Sequence, residues 1–148
     1  MRIKFSQKHK NQFKKLGILC IYLFGSQAQG KTHPLSDVDI GVVFEEPQKY
    51  KDKTLDVYSK LYDIITDVLP KSYLRRRFKL REHEFDLVFL QFAPLSFQFS
   101  VIKDGKVLYE KDRKKRLDYE EYVMKRNCDL EYLRNLSYKH LLERLEKL

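Results

Sequence analysis

The chain has 148 residues, of which 43% are hydrophobic and 14% aromatic, and its formal net charge is +9. This length and composition exclude a disordered segment and predict one folded domain, residues 1–148, with a core at about 5–112 and a C-terminal helical tail at about 113–148. The positive charge favours a polyanionic partner such as a nucleoside triphosphate, RNA or an acidic protein.

The cysteines and the apolar runs predict the cellular setting. Cys20 and Cys128 stand far apart, without the spacing of a disulfide framework or a zinc site. No apolar run is long enough to span a bilayer, and the lysine-rich N-terminus lacks the apolar stretch of a signal peptide. The sequence therefore predicts a cytoplasmic protein that does not enter a membrane.

An amphipathic helix is predicted over residues 5–16. Ser6 is its candidate N-cap and Gly17 its stop. One helical stripe holds Phe5, His9, Phe13 and Leu16. Because His9 lies on that apolar stripe, it is interpreted as a packing residue rather than a ligand.

A buried strand and a glycine-rich turn follow this helix. Ile18–Phe24 is uncharged and contains Ile, Tyr and Phe, which is typical of a strand covered on both faces. Gly25 and Ser26 break the pattern, and Gly30 closes the turn. Glycine lets backbone N–H groups approach a phosphate and serine adds a hydroxyl donor, so Gly25 and Ser26 are predicted to hold phosphates.

A second strand has two different faces. The core-facing set is Val38, Ile40, Val42 and Phe44, and the opposite set is Asp37, Asp39, Gly41 and Val43. A rise of ~3.3 Å per residue places the carboxylates of Asp37 and Asp39 about 7 Å apart. Like charges at this distance repel unless a cation lies between them, and Mg²⁺ prefers such hard oxygen ligands. A pair of Mg²⁺ ions is therefore predicted here, as in sites of nucleotidyl transfer.

A third carboxylate lies in a later strand, predicted at residues 84–90. Asp86 stands there among apolar residues, where an unpaired buried carboxylate is costly. If this strand lies beside the second, Asp86 reaches the metal pair and can act as a general base. The alternative is a salt bridge to the arginines of the basic run at 75–81, which is either part of the cleft or a solvated face.

The remaining elements are helices and one small strand. Residues 51–69 predict a helix ended by Pro70, with a core-facing stripe of Leu55, Tyr58, Leu61, Tyr62, Ile65 and Leu69. Residues 94–102 predict a short helix, Asp104-Gly105 a turn and residues 106–109 a small strand. Residues 117–148 predict a long helix whose stripe is Leu130, Leu133, Ser137, Leu141, Leu145 and Leu148. This helix would either cover the core or dock a partner helix.

Gly25-Ser26, ten intervening residues and Asp37-Val38-Asp39 resemble the GS-x10-DxD signature of the DNA polymerase β-like nucleotidyltransferases. The short chain is similar to the minimal nucleotidyltransferases (MNT), antitoxins of MNT–HEPN toxin–antitoxin systems. The resemblance covers about residues 15–112 and includes EFDLVFL and GKVLYE, at 84–90 and 105–110. It implies an α/β (α+β) palm: a small mixed sheet of at least three strands, helices mainly on one face, and a long C-terminal helical tail.

The resemblance also implies a reaction and a partner. AMP would move from ATP to a protein hydroxyl, a tyrosine of a HEPN ribonuclease toxin, within a hetero-oligomeric complex. The implied site consists of the catalytic and Mg²⁺-binding Asp37, Asp39 and Asp86 and the nucleotide-binding Gly25, Ser26 and Lys31. Direct nucleic-acid binding is not favoured.

Parts of the same sequence also match the patterns of other functions. Residues 25–32 match the P-loop pattern G-x-x-x-x-G-K-[ST], but a P-loop needs a long helix from Lys31, and Pro34 follows at once. An EF-hand fails because Val42 and Gln48 replace its required Gly and Glu. A sugar-nucleotide glycosyltransferase would need a longer chain. A nucleotidyltransferase of small molecules such as aminoglycosides, a non-catalytic binding module and two merely exposed aspartates stay open.

Overall fold

The computed structural model describes residues 3–25, 38–69 and 85–148 of the chain. The elements of this part are, in chain order, α1 (Gln7–Lys15), β1 (Ile18–Phe24), β2 (Asp39–Phe44), α2 (Thr54–Val68), β3 (Asp86–Phe89), α3 (Leu95–Asp104), β4 (Lys106–Glu110) and α4 (Arg113–Glu146). Short 3₁₀ turns, Pro47–Tyr50 and Leu90–Phe92, follow β2 and β3. None of the helices described is long and apolar enough to cross a membrane.

The described strands form a mixed sheet in the order β3-β2-β1-β4. β1 pairs antiparallel with both β2 and β4, whereas β3 pairs parallel with β2. β1 therefore ends at the same edge of the sheet at which β2 and β3 begin. We call this end of the strands, which holds Gly25, Asp39 and Asp86, the carboxylate edge.

Apolar clusters lie on both faces of the sheet. The larger cluster joins Ile21 and Leu23 of β1 and Ile40 and Val42 of β2 to residues of α1 and α2. The smaller one joins residues such as Tyr22 to α3 and the start of α4. The predicted α/β class, with a small mixed sheet and a long C-terminal helix, is confirmed. The face opposite α1 and α2 is covered as well, because Val43 and Leu90 are also fully buried.

The first helix and its caps follow the sequence closely. The Ser6 side chain accepts a hydrogen bond from the His9 backbone N–H, and the His9 ring accepts one from the Ser6 backbone N–H, which completes a capping box. Gly17 ends the segment with φ +71°, a conformation that favours glycine. His9 is half-buried and makes an edge contact with Phe5, so its predicted packing role is confirmed.

The stripe predicted for α2 is wrong at Leu55, which is 83% exposed. The helix is rotated so that Val57, Leu61, Ile64 and Ile65 face the sheet, because this set forms a narrower apolar stripe than one that includes Leu55. The predicted terminator Pro70, the basic run at 75–81 and Glu84 lie outside the described residues.

The long helix begins at Arg113, four residues before its predicted start. Asp112 caps it by accepting a hydrogen bond from the backbone N–H of Lys115 at 3.1 Å. The first part of the helix packs on the smaller apolar cluster, and Val123 is fully buried. Every residue from 128 to 148 is exposed, so the predicted leucine stripe does not cover the core of this chain.

Candidate active site

Two of the predicted carboxylates meet at the carboxylate edge. Asp39 opens β2 and Asp86 opens β3, and the parallel pairing sets them directly opposite each other. Because side chains alternate along β2, Val38, Ile40 and Val42 point into the larger apolar cluster. Asp39 therefore points to the other face of the sheet, the face that carries α3 and α4.

The two carboxyl groups lie close enough to affect each other's ionisation. Asp39 is half-buried, whereas Asp86 is exposed. Burial raises the pKa of Asp39 above its ordinary value, and the charge of Asp86 and the hydrogen bond to Asp86 raise it further. The pair thus concentrates negative charge at one point of an otherwise basic protein, and this is an environment that a cation would stabilise.

Gly25 lies directly against the Asp39 side chain. It follows β1 with φ +75°, and Phe24 is paired with Asp39 across the sheet. A Cβ placed on Gly25 would collide with the Asp39 carboxylate oxygen Oδ2. The sequence predicted a phosphate-binding role for this glycine, but the structure also gives it the role of admitting a carboxylate beside the backbone. A glycine at a strand end is the only signal of this that the sequence offers.

The oxygen ligands of this site suit Mg²⁺, which prefers carboxylates and keeps positions open for phosphates. Asp39 and Asp86 supply two such groups. The part of the chain described holds no cluster of three or more His, Cys, Asp or Glu side chains able to bind a metal. The third predicted ligand, Asp37, lies outside that part, as do Ser26 and Lys31 of the predicted phosphate site.

The position of β2 decides one alternative. This strand begins at Asp39, seven residues after Thr32. The long helix that a P-loop requires after its Lys-Thr pair has no room in that interval. The P-loop hypothesis is therefore excluded, because the chain between β1 and β2 is too short for that helix.

Comparisons with known proteins find relatives in sequence and in fold. The family model described as Polymerase beta, Nucleotidyltransferase matches residues 7–114. A curated relative, the protein adenylyltransferase MntA of Aphanizomenon flos-aquae (strain 2012/KM1/D3), is 26% identical over 127 residues, which are 86% of this chain and 80% of the relative.

Solved structures share the fold at lower identity. A crystal structure of a toxin–antitoxin with AMP-PNP gives a TM-score of 0.57 at 19% identity and covers 93% of this chain and 99% of its own. A tri-AMPylated Shewanella oneidensis HEPN toxin in complex with MNT antitoxin gives a TM-score of 0.52 at 20% identity and covers 92% and 98%. Both structural alignments therefore include most of this chain.

Proposed function

The chain belongs to the polymerase β nucleotidyltransferase family, and we propose that it transfers AMP from ATP to a tyrosine hydroxyl of a HEPN-family toxin and so acts as an antitoxin. The relative named protein adenylyltransferase MntA supports the choice of a protein acceptor. The complex of an MNT antitoxin with an AMPylated HEPN toxin supports the choice of partner.

The observation that carries the proposal is the Asp39–Asp86 pair beside Gly25. Nucleotidyl transfer needs carboxylates that hold divalent cations where a triphosphate and an acceptor hydroxyl meet. Asp39 and Asp86 lie opposite each other on neighbouring strands at an open edge of the sheet. Asp86 is exposed there, so an acceptor hydroxyl can approach it.

In the proposed reaction the acceptor oxygen attacks the α-phosphorus of ATP in line with the leaving group. The new O–P bond forms as the bond between the α-phosphorus and the bridging oxygen breaks, and pyrophosphate leaves. Asp86 takes the proton of the attacking hydroxyl as general base, which requires hydrogen-bond reach to that oxygen. The products are an AMP ester of the acceptor and pyrophosphate.

Asp37, Asp39 and Asp86 would hold Mg²⁺, two ions in our proposal. When bound, Mg²⁺ neutralises charge on the transferring phosphate and the leaving group. Gly25, Ser26 and Lys31 would bind the phosphates of ATP. Of these groups, Gly25 also makes room for the Asp39 carboxylate, because a Cβ at this position would collide with Oδ2.

The test is transfer of ³²P from ATP labelled at its α-phosphate to a purified HEPN-family toxin that binds this chain, with Mg²⁺. We expect labelling by the wild type, and a loss of about 100-fold or more for Asp39→Asn and for Asp86→Asn, since each removes a charge that holds the cation. Toxin binding should persist in both variants, because the two side chains lie at the edge of the sheet rather than in its core.

The outcomes separate the remaining alternatives. A non-catalytic antitoxin would protect cells from the toxin as well with Asp39→Asn as without it. An enzyme for small molecules would label an aminoglycoside and leave the toxin unlabelled. Absence of labelled toxin with the wild type, under conditions in which the two proteins bind, contradicts the proposal.

A further inference from the structure

The long helix α4 runs beside β1 toward the carboxylate edge. Arg116 bonds Glu110, which is opposite Cys20 in the sheet, and Glu120 accepts a hydrogen bond from the Tyr22 hydroxyl at 2.7 Å. Four helical residues rise ~6 Å and two strand residues span ~6.6 Å, so the helix advances in step with β1. The two elements therefore point in the same direction.

The helix continues far beyond the point where β1 ends. At this rate of advance it is level with Gly25 at about residue 126. Burial agrees, because Asn127, 8% exposed, is the last buried residue and all of 128–148 are exposed. The overhanging helical turns are ~28 Å long. They project past the edge of the sheet at which Asp39 and Asp86 lie.

The overhang lies on the same side of the sheet as the carboxylates. Asp39 points to the face that α3 and α4 cover, since its neighbours Val38 and Ile40 enter the cluster on the other face. The residues of α4 that contact this face are Arg116, Tyr119, Glu120, Val123 and Asn127, and their spacing of three or four places them on one side of the helix. A helix continued in this direction flanks the space in front of the site.

The apolar stripe of the overhang is the continuation of that packed side. From Asn127 the same spacing of three or four residues leads through Leu130, Leu133, Ser137, Leu141, Leu145 and Leu148. Leu133 and Leu145 are each 54% exposed. The stripe therefore faces the space beyond the carboxylate edge, where none of the residues that the structure describes, 3–25, 38–69 and 85–148, buries it.

The charge of the overhang selects the class of molecule that could cover it. It carries four basic residues, Arg134, Lys139, Arg144 and Lys147, and four acidic ones, Asp129, Glu131, Glu143 and Glu146, in a chain of net charge +9. A balanced helix with a leucine stripe fits an apolar protein surface, in the manner of helix-in-groove binding, better than a polyanion.

We infer that residues 128–148, here called the docking arm, bind the protein acceptor, a HEPN toxin, through the leucine stripe and hold its target hydroxyl at the Asp39–Asp86 pair. The inference rests on the proposed function and adds to it the surface that selects the acceptor. Three observations support it. The helix α4 runs toward the carboxylate edge, its buried residues end at Asn127, and its exposed part lies on the same side of the sheet as the Asp39 carboxylate.

The experiment compares Leu133→Glu/Leu141→Glu, on the stripe, with Leu136→Glu, an exposed leucine on another side of the same helix. Each full-length variant is titrated against the toxin without ATP and is also assayed for transfer from labelled ATP. We expect the stripe variant to lose about tenfold or more in toxin affinity and in kcat/KM for the toxin. The Leu136→Glu control should match the wild type, and ATP binding should be unchanged in all three.

Two other outcomes overturn the inference. Wild-type affinity and labelling with the stripe variant would show that the toxin binds elsewhere. Light scattering of the chain alone tests a second copy: a dimer that the stripe variant abolishes, with toxin affinity retained, assigns the stripe to self-association. If the wild type binds toxin but transfers no AMP, the proposed function fails, and the affinity measurements still decide the role of the arm.

Discussion

At the scale of single residues, the most constrained position of the site is a glycine. Gly25 has φ +75° and stands against the Asp39 carboxylate, so it meets a backbone and a steric requirement at once. Gly17 has nearly the same conformation, φ +71°, and stands against the Tyr50 hydroxyl, far from the carboxylates. Substitutions at the two glycines can therefore separate the effect of backbone strain from the effect on catalysis.

We expect Gly25→Ala to reduce AMP transfer by about 100-fold, because a displaced Asp39 carboxylate no longer holds the reacting groups in place. Gly17→Ala should leave transfer near wild type. Both variants should lose about 1–2 kcal/mol of unfolding free energy, the cost of a left-handed conformation for alanine. Urea unfolding and the labelling assay measure the two effects. Equal losses of activity in both variants would contradict the specific role of Gly25.

A second residue-scale prediction concerns Asp39 and pH. Because burial and Asp86 raise the pKa of Asp39 in the folded state, its protonated form stabilises the fold. That contribution is complete below the unfolded-state value of about 3.9 and is lost as pH rises through the folded-state value. We expect Asp39→Asn to be more stable than the wild type at pH 7.5 without metal, and this advantage to shrink toward pH 4. Urea unfolding at both pH values checks this, and a less stable variant at pH 7.5 would contradict it.

At the scale of elements, a polar cluster fixes α4 on β1. Arg116 has a side chain only 11% exposed and pairs with Glu110 and Glu120, both at 2.6 Å. Glu120 also accepts the hydrogen bond of Tyr22. A buried charge of this kind is costly to leave without its partner, so the cluster sets the direction in which the helix leaves the sheet.

Removing the guanidinium should therefore loosen the attachment of the helix. We expect Arg116→Met to lower the unfolding free energy by about 3 kcal/mol, because two carboxylates lose their partner. Lys125→Met breaks an exposed pair with Glu121, 73% and 58% exposed, and should change it by about 0.5 kcal/mol or less. Chemical denaturation of both variants provides the comparison, and similar effects would show that the cluster is not a structural anchor.

The elements differ in how well the sequence predicts them. β1 is found at its predicted bounds because an uncharged run between a helix stop and a glycine turn has few alternatives. The stripe of α2 fails at Leu55 because propensity cannot fix the rotation of a helix that has apolar residues on several sides. The predicted start of α4 is four residues too late, because Asp112 caps a first turn that is rich in lysine and arginine and has no apolar periodicity.

The site is predictable where local sequence demands it. Asp86 lies opposite Asp39, as expected if its strand is beside β2, but the premise of a buried carboxylate is wrong because Asp86 is exposed at the start of β3. The roles of Asp37, Ser26 and Lys31 remain predictions, since these residues lie outside the described part. The Tyr22–Glu120 bond joins residues 98 positions apart and has no counterpart in local patterns.

At the scale of the whole molecule, the chain divides into a packed body and an unpacked helix. Most of the stability of a helix in a protein comes from tertiary packing, and residues 128–148 are all exposed. We expect the backbone amides of residues 130–146 to exchange with deuterium at least about 100-fold faster than those of 116–126, which rest on the body. Hydrogen exchange measured by mass spectrometry checks this, and equal protection of the two segments would mean that the arm is covered in solution.

The abrupt end of burial at Asn127 has an evolutionary consequence. Under the proposed function and the inferred role of the docking arm, catalysis and the choice of acceptor depend on separate stretches of the polypeptide, joined by one continuous helix. Drift in the final twenty-one residues, 128–148, leaves the interior of the body untouched, because no side chain there supports it. If the docking arm binds the acceptor as inferred, substitutions in it can change which protein is bound at little risk to folding.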